Sequence, residues 1–187
     1  MTGRSHALDL VPGLRDLAQR QLGVVHRDQL RALGVRPHHV AHQVAAERWS
    51  AYGRSTVVLS TGVLTRAQRR AVAVTHAGPR AALAGLSALE ALGLRDWSRD
   101  LVHVLVPQGG LPSRLPGVVA HQTRHLGPDD LIGGRWPTCT TAARAAIDAA
   151  SWEAHPRTAG GIVVATVQQR LATAAELLAE LGRRGPV

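Results

Sequence analysis

Apolar residues recur along this chain at two spacings, and the switches between them mark out its elements. Residues 8–23 (LDLVPGLRDLAQRQLG) place Leu10, Leu14, Leu17 and Ala18 at helical intervals, and Gly23 ends the run. Val24 and Val25 form a short apolar pair suited to starting a strand. HRDQLRALG (26–34) reads as a second helix, with Leu30 and Leu33 on one side and Gly34 as its left-handed terminator. Pro37 suits the first turn of a third helix, PHHVAHQVAAE (37–47), because that position needs no backbone N–H. There Val40, Ala41 and Val44 are expected to face inward, leaving His38, His39, His42 and Gln43 outward. WSAYGRSTVVLS (49–60) then sets aromatic and β-branched residues on either side of a Gly-Arg-Ser turn, the mark of a β-hairpin. The order helix, helix, tight turn, helix, hairpin is that of a winged helix-turn-helix. Residues 37–47 take the place of its recognition helix and residues 49–59 that of its wing.

Beyond residue 62 the pattern changes. TRAQRRAVAVTHAG (65–78) and SALEALG (87–93) read as helices. LVHVLVP (101–107) is an unbroken apolar run of buried-strand length, and PGVVAHQT (116–123) follows the loop QGGLPSRLP as a partner strand. TCTTAARAAIDAASW (138–152) is a helix with Thr140 or Thr141 as N-cap. TAGGIVVATVQQRLA and TAAELLAELG complete the chain as two more helices, the last closed by Gly182. The expectation is an α+β protein: a winged helix-turn-helix over residues 1–62 and a small mixed domain over residues 63–187.

Composition narrows the chemistry. All 22 basic residues are arginine, so Schiff-base catalysis, a Walker A phosphate loop and a PD-(D/E)xK nuclease centre are excluded. One cysteine, Cys139, excludes an intrachain disulfide and a cysteine-rich zinc site, and reads as an inert thiol. The first residues lack the apolar core of a signal peptide, and no apolar run reaches membrane-spanning length, so a cytoplasmic location is expected. The net charge of +9 is concentrated at one end. Residues 1–70 hold 11 arginines against four acids (Asp9, Asp16, Asp28, Glu47), and the remainder holds 11 against nine. A basic surplus confined to one end is what phosphate neutralisation needs, although a solvated arginine-rich face gives the same count.

If the third helix enters a major groove, its first turn presents Arg36, His38 and His39 to base edges, and its next turn His42 and Gln43. Arginine pairs with guanine O6 and N7 in bidentate fashion, and glutamine with adenine N6 and N7. Arg27, Arg31 and Arg48 fall where backbone phosphates are expected, and Arg54 sits at the tip of the hairpin. His38 and His42 have the i, i+4 spacing of a helical metal site but lack a third ligand, so no metal and no cofactor is expected. Imidazoles facing phosphate would tighten binding as pH falls toward their ordinary titration range.

Elsewhere, Arg144 and Asp148 at i, i+4 read as an internal clamp. Ser87 in GLSAL reads as a capping or core-edge serine, because a nucleophile elbow would need a second glycine and a preceding strand. Trp49 is expected to staple the wing to the core, and Trp97, Trp136 and Trp152 to pack the second domain. No clustered carboxylates and no nucleophile–base pair are apparent, which argues against an enzyme.

The run QLGVVHRDQLRALGVRPHHVAHQVAAERW resembles the N-terminal winged helix of AbiEi-type antitoxins of type IV toxin–antitoxin systems. The resemblance continues through GPRAALAGLSALEALGL, LVHVLVP, PGVVAHQTRHL, TTAARAAIDAA and VQQRLATAAELLAEL. It implies a repressor that binds operator DNA, and a following domain that contacts a nucleotidyltransferase-like toxin or a second copy of the chain. Many relatives carry a C-terminal Vsr-like endonuclease domain, and residue 187 falls before one would begin. The hairpin departs from the relatives, which tend toward a basic run leading into Pro-Gly-Val-Tyr; here Arg54 alone is basic at the tip. An alternative function is a non-catalytic interaction adaptor, or the remnant of an endonuclease-bearing relative.

Overall fold

The computed structural model describes residues 11–184. Leu10, expected in the first helix, lies outside the described residues. Those described form a mixed α+β structure with eight α-helices and two three-stranded sheets. None of the helices is long and apolar enough to cross a membrane.

The amino-terminal elements are α1 (Leu14–Arg20), β1 (Val24–His26), α2 (Arg27–Ala32), α3 (Pro37–Ala45), β2 (Ser50–Tyr52) and β3 (Thr56–Val58). α1 is shorter than the apolar run that encodes it. Gly13, at φ 79°, opens it, and Leu22 and Gly23 at φ 56° and 76° turn the chain into β1. His26 caps α2: its Nδ1 accepts the Asp28 N–H at 3.1 Å, while Gln29 Oε1 accepts the His26 N–H at 2.8 Å. Leu14, Val25, Leu30, Val35, Val40, Trp49 and Val57 close around one another as a core. Trp49 is 5% exposed, in the stapling position expected of it.

β3 is the middle strand, antiparallel to β1 and β2, with Val57 opposite both Val25 and Ala51. All three of its residues are buried. One face covers the amino-terminal core. The other meets α4 (Arg66–Ala77), where Val24 and Val58 pack on Ala71 and Val72. A strand enclosed on both faces lacks the alternation of apolar and polar residues, and β3 buries Thr56 together with Val57 and Val58. Thr65 and Gln68 form a capping box at the start of α4, and Gln68 Nε2 also donates to the Leu22 carbonyl at 3.1 Å. The hairpin turn lies against the other end of α4. A Cβ on Gly53 would meet the His76 ring at 2.5 Å, and Gly53 has φ 61°, so only glycine fits there.

The remaining elements are β4 (Ala82–Leu83), α5 (Gly85–Ala91), β5 (Val102–Pro107), β6 (Val118–Thr123), α6 (Ala142–Trp152), α7 (Pro156–Gln168) and α8 (Ala174–Arg184). The second sheet has the order β4-β5-β6, with β4 antiparallel and β6 parallel to β5. The link between the parallel strands is only residues 108–117 and contains no helix, shorter than such crossovers usually run. Thr141, rather than Thr140, caps α6, its hydroxyl accepting the Arg144 N–H at 3.3 Å. Gly182 does not close α8 as expected: it lies inside the helix. The strong amphipathic register of residues 174–181 carries the helix past one poor helix former. Ala73, Leu83, Leu89, Val104, Ala146 and Ile162 lie at the centre of the second core.

Candidate nucleic-acid interface

Residues 33–36 form a short turn between α2 and α3, with Gly34 at φ 80°. Arg36 is the extended N-cap of α3 and offers no side-chain cap; Pro37 brings no N–H to the first turn, and the His39 N–H donates to the Arg36 carbonyl at 3.0 Å. α1 and α2 carry Asp16 and Asp28 in their first turns, whereas α3 has no acid there. Arg36, His38, His39 and His42 are exposed, and the rings of His38 and His39 stand 4.1 Å apart, tilted.

The inward edge of α3 differs from expectation at two positions. Val40 is buried and Val44 half-buried, but Ala41 is exposed. Gln43, expected outward, is half-buried, and its Oε1 is enclosed without a hydrogen-bond partner. Gln43 lies three residues from Val40 and so shares its face, whereas Ala41 lies about 100° round the helix. The Gln43 carbonyl also accepts the Arg48 and Trp49 N–H groups at 3.0 and 3.2 Å, which fixes the exit toward the hairpin.

The arginines divide into free and engaged. Arg48 and Arg54 are exposed, the latter at the hairpin tip. Arg31 is exposed and paired to Asp28 at 2.7 Å, an open surface contact that leaves it available to other anions. Arg27 is half-buried, with its Nε enclosed and without a partner; its backbone N–H donates to Ser55 at 2.8 Å, tying α2 to the hairpin. Arg66 and Arg70 add to the amino-terminal charge in sequence but turn toward Glu90, Arg70 at 2.9 Å. Burial would raise the Glu90 carboxyl, yet hydrogen bonds and charge from these two arginines outweigh it and hold the group below its ordinary value.

A second polar site lies in the other half. A cleft of about 1090 Å³ is lined by residues including His121, Thr123, Asp130, Arg144, Asp148 and Glu180. The buried Arg144 guanidinium reaches Asp148 at 3.0 Å, Asp130 at 3.2 Å and Glu180 at 3.8 Å, and donates to the His125 carbonyl at 3.2 Å. Arg183 closes on Glu180 from the rim. The expectation of no clustered carboxylates is thus corrected. Three acids far apart in sequence converge through the turn before α6, α6 itself and α8. The clamp expected of Arg144 and Asp148 is one arm of this cluster. Among the described residues no group of three or more His, Cys, Asp or Glu side chains is placed to hold a metal.

Beside the cleft, His103 and His121 share a hydrogen bond, Nδ1 to Nε2 at 2.9 Å, on neighbouring strands. His121 stacks on Trp152, with ring centroids 3.5 Å apart and planes 3° off parallel. Burial, with the neighbouring His103, lowers the His121 pKa to about 4; burial lowers that of His103 too, against the charge of Glu153. The folded rings therefore take up protons at lower pH than the unfolded ones. Stability they allow is full above about pH 6.5 and is lost as pH falls toward about 4. Wild type is expected to lose about 1 kcal/mol more than His121→Gln across that window, less than the full shift implies because solvent reaches the ring. Urea unfolding at stepped pH measures this, and equal losses in both proteins would contradict it.

Ser87 occupies the core-edge position expected of it, its Oγ accepting the His103 N–H at 2.9 Å. Cys139 is fully buried, and burial pushes its thiol up. The carboxylate cluster and the His–His–Trp stack escaped sequence reading. The one available signal was a histidine inside each of two apolar strands. A comparison of the sequence with protein-family models and with curated proteins finds no match.

Proposed function

We propose that this protein is a DNA-binding transcriptional regulator whose residues 11–62 form a winged helix-turn-helix. In this reading α3 enters the major groove and the β2–β3 hairpin is the wing. The observation that carries the proposal is the amino-terminal end of α3, which has neither an acid nor a side-chain cap in its first turn and exposes Arg36, His38 and His39 beside it. The positive end of the helix dipole and the adjacent cations together favour phosphate oxygens. Arg36 is the base-reading side chain; Arg31, Arg48 and Arg54 supply phosphate contacts. Gln43, half-buried, plays a smaller part than its position in the sequence suggests.

The α+β half is the protein-contact domain, with a nucleotidyltransferase-like toxin or a second copy of the chain as its partner. That assignment rests on the resemblance to AbiEi-type antitoxins. It is also supported by apolar side chains left exposed on the last two helices, Val164 and Val167 on α7 and Leu178 and Leu181 on α8. DNase protection of the region upstream of its own coding sequence tests the DNA reading. One protected stretch, or two centred about 10 bp apart if the protein is dimeric, is expected. Uniform partial cleavage at every concentration would contradict it.

A further inference from the structure

Two stretches of the sequence, residues 48–89 and 101–128, contain no acidic residue. The first holds the β2–β3 hairpin and α4, the second the loop 108–117 that links β5 to β6. The fold fastens that loop to the hairpin and to α4 at two neighbouring points. His76, buried near the end of α4, stands between them at the first. Its Nε2 donates to the Ser113 carbonyl at 2.8 Å, while its Cε1 edge lies so close to Gly53 that a Cβ there would meet it at 2.5 Å. At the second, Leu115 joins Tyr52 and Leu64 around the core of Val24, Val58, Ala71 and Val72.

Each anchored turn carries an exposed arginine: Arg54 follows Gly53, and Arg114 lies between Ser113 and Leu115. Neither side chain has a hydrogen bond or an ion pair among the described residues. Arg66 and Arg70, from the same acid-free surroundings, instead reach Glu90, the first acid beyond residue 89. The two remaining cations therefore find their counter-charge outside both stretches, and a polyanion supplies it at more than one point. Arg54 stands at the hairpin tip, where a wing meets duplex DNA, and the loop brings Arg114 to its side from a remote part of the chain.

We propose that the DNA-contacting surface extends into the second half of the molecule: Arg114 binds a backbone phosphate next to the contact made by Arg54, and His76 is the positioning residue that holds the Arg114 loop against the hairpin. The proposal rests on the DNA-binding reading. Its chemistry is that of phosphate, so Arg114 contributes affinity, salt dependence and register rather than a preference among bases. Because residues 108–117 join β5 to β6, this contact also fixes how the α+β half is oriented on the duplex.

The test is fluorescence anisotropy of the full chain with upstream and scrambled duplexes over a salt series. Arg114→Ala is expected to weaken both duplexes alike, about three- to tenfold at about 0.1 M salt, and to reduce the salt slope by about one. Arg114→Lys, which keeps the charge, is expected to retain the slope. Arg157→Ala removes the same charge from an exposed position on α7, outside both acid-free stretches, and is expected to leave the slope unchanged. His76→Leu is expected to reproduce the slope of Arg114→Ala, with no further loss when the two are combined. His76→Gln, which keeps an N–H donor for the Ser113 carbonyl, is expected to restore it. An unchanged slope in Arg114→Ala, or an equal fall in Arg157→Ala, would overturn the phosphate contact. Additive losses in the double variant would overturn the positioning role of His76. Arg114 and Arg157 are surface side chains, so their comparison decides the contact even if His76→Leu lowers Tm. A fall in slope for Arg54→Ala but not for Arg114→Ala would sink this inference alone, whereas no binding by wild type would sink the DNA reading itself.

Discussion

Arg144→Met is expected to destabilise the protein by about 3–5 kcal/mol, lowering Tm by about 10 °C. The guanidinium is the central cation among Asp130, Asp148 and Glu180, and Asp148 and Glu180 are themselves buried. Its removal takes away the cation that joins Asp130, Asp148 and Glu180, while Arg183 still reaches Glu180 from the rim. Methionine preserves most of the volume, so the loss reads as charge rather than cavity. Arg144→Lys is expected to recover only part of the loss, since an ammonium cannot reproduce the fork that reaches Asp130 through Nη1 and Asp148 through Nε. Denaturant unfolding measures each variant. A loss below about 1 kcal/mol for Arg144→Met would mean that solvent already screens the cluster.

Arg36→Ala is expected to weaken binding to upstream DNA by about 5- to 150-fold while leaving binding to scrambled DNA within a few-fold of wild type. This selective loss is the signature of a base contact. Arg54→Ala is expected instead to weaken both DNAs alike and to reduce the salt slope by about one, as loss of a phosphate contact does. Gln43→Ala is expected to fall short of Arg36→Ala, because its amide oxygen is enclosed beneath α3. Competition anisotropy with the two DNAs ranks the three variants. Equal losses on both DNAs for Arg36→Ala would reassign that arginine to the phosphate backbone.

What could be read in advance follows from how local each determinant is. The helices at residues 26–34, 37–47 and 65–78, and the hairpin around Gly53, rest on spacing, caps and turn residues that lie within a few positions of one another. They form as expected. β4 is two residues long and owes its existence to Leu105 and Val104 opposite it, so no local pattern announces it. Gly182 is a stop signal overridden by tertiary packing, in which Leu177 and Glu180 hold α8 against the rest of the chain. On α3 the difference between Gln43 and Ala41 is one of angle around the helix, and the core beneath selects Val40 as its centre. The charge cluster is the least local feature. Asp130, Arg144, Asp148 and Glu180 span fifty residues and meet only because α8 packs back against α6. The His103–His121–Trp152 stack likewise requires the parallel pairing of β5 and β6, which the connecting loop does not encode.

The most direct measurement is the affinity of the purified full chain for its own upstream DNA against a scrambled duplex, by fluorescence anisotropy over a salt series. A specific regulator is expected to prefer the upstream sequence about 100-fold or more, with affinity for both falling steeply as salt rises. Equal affinity for the two duplexes at every salt concentration, or no binding to either, would contradict sequence-specific regulation by residues 11–62.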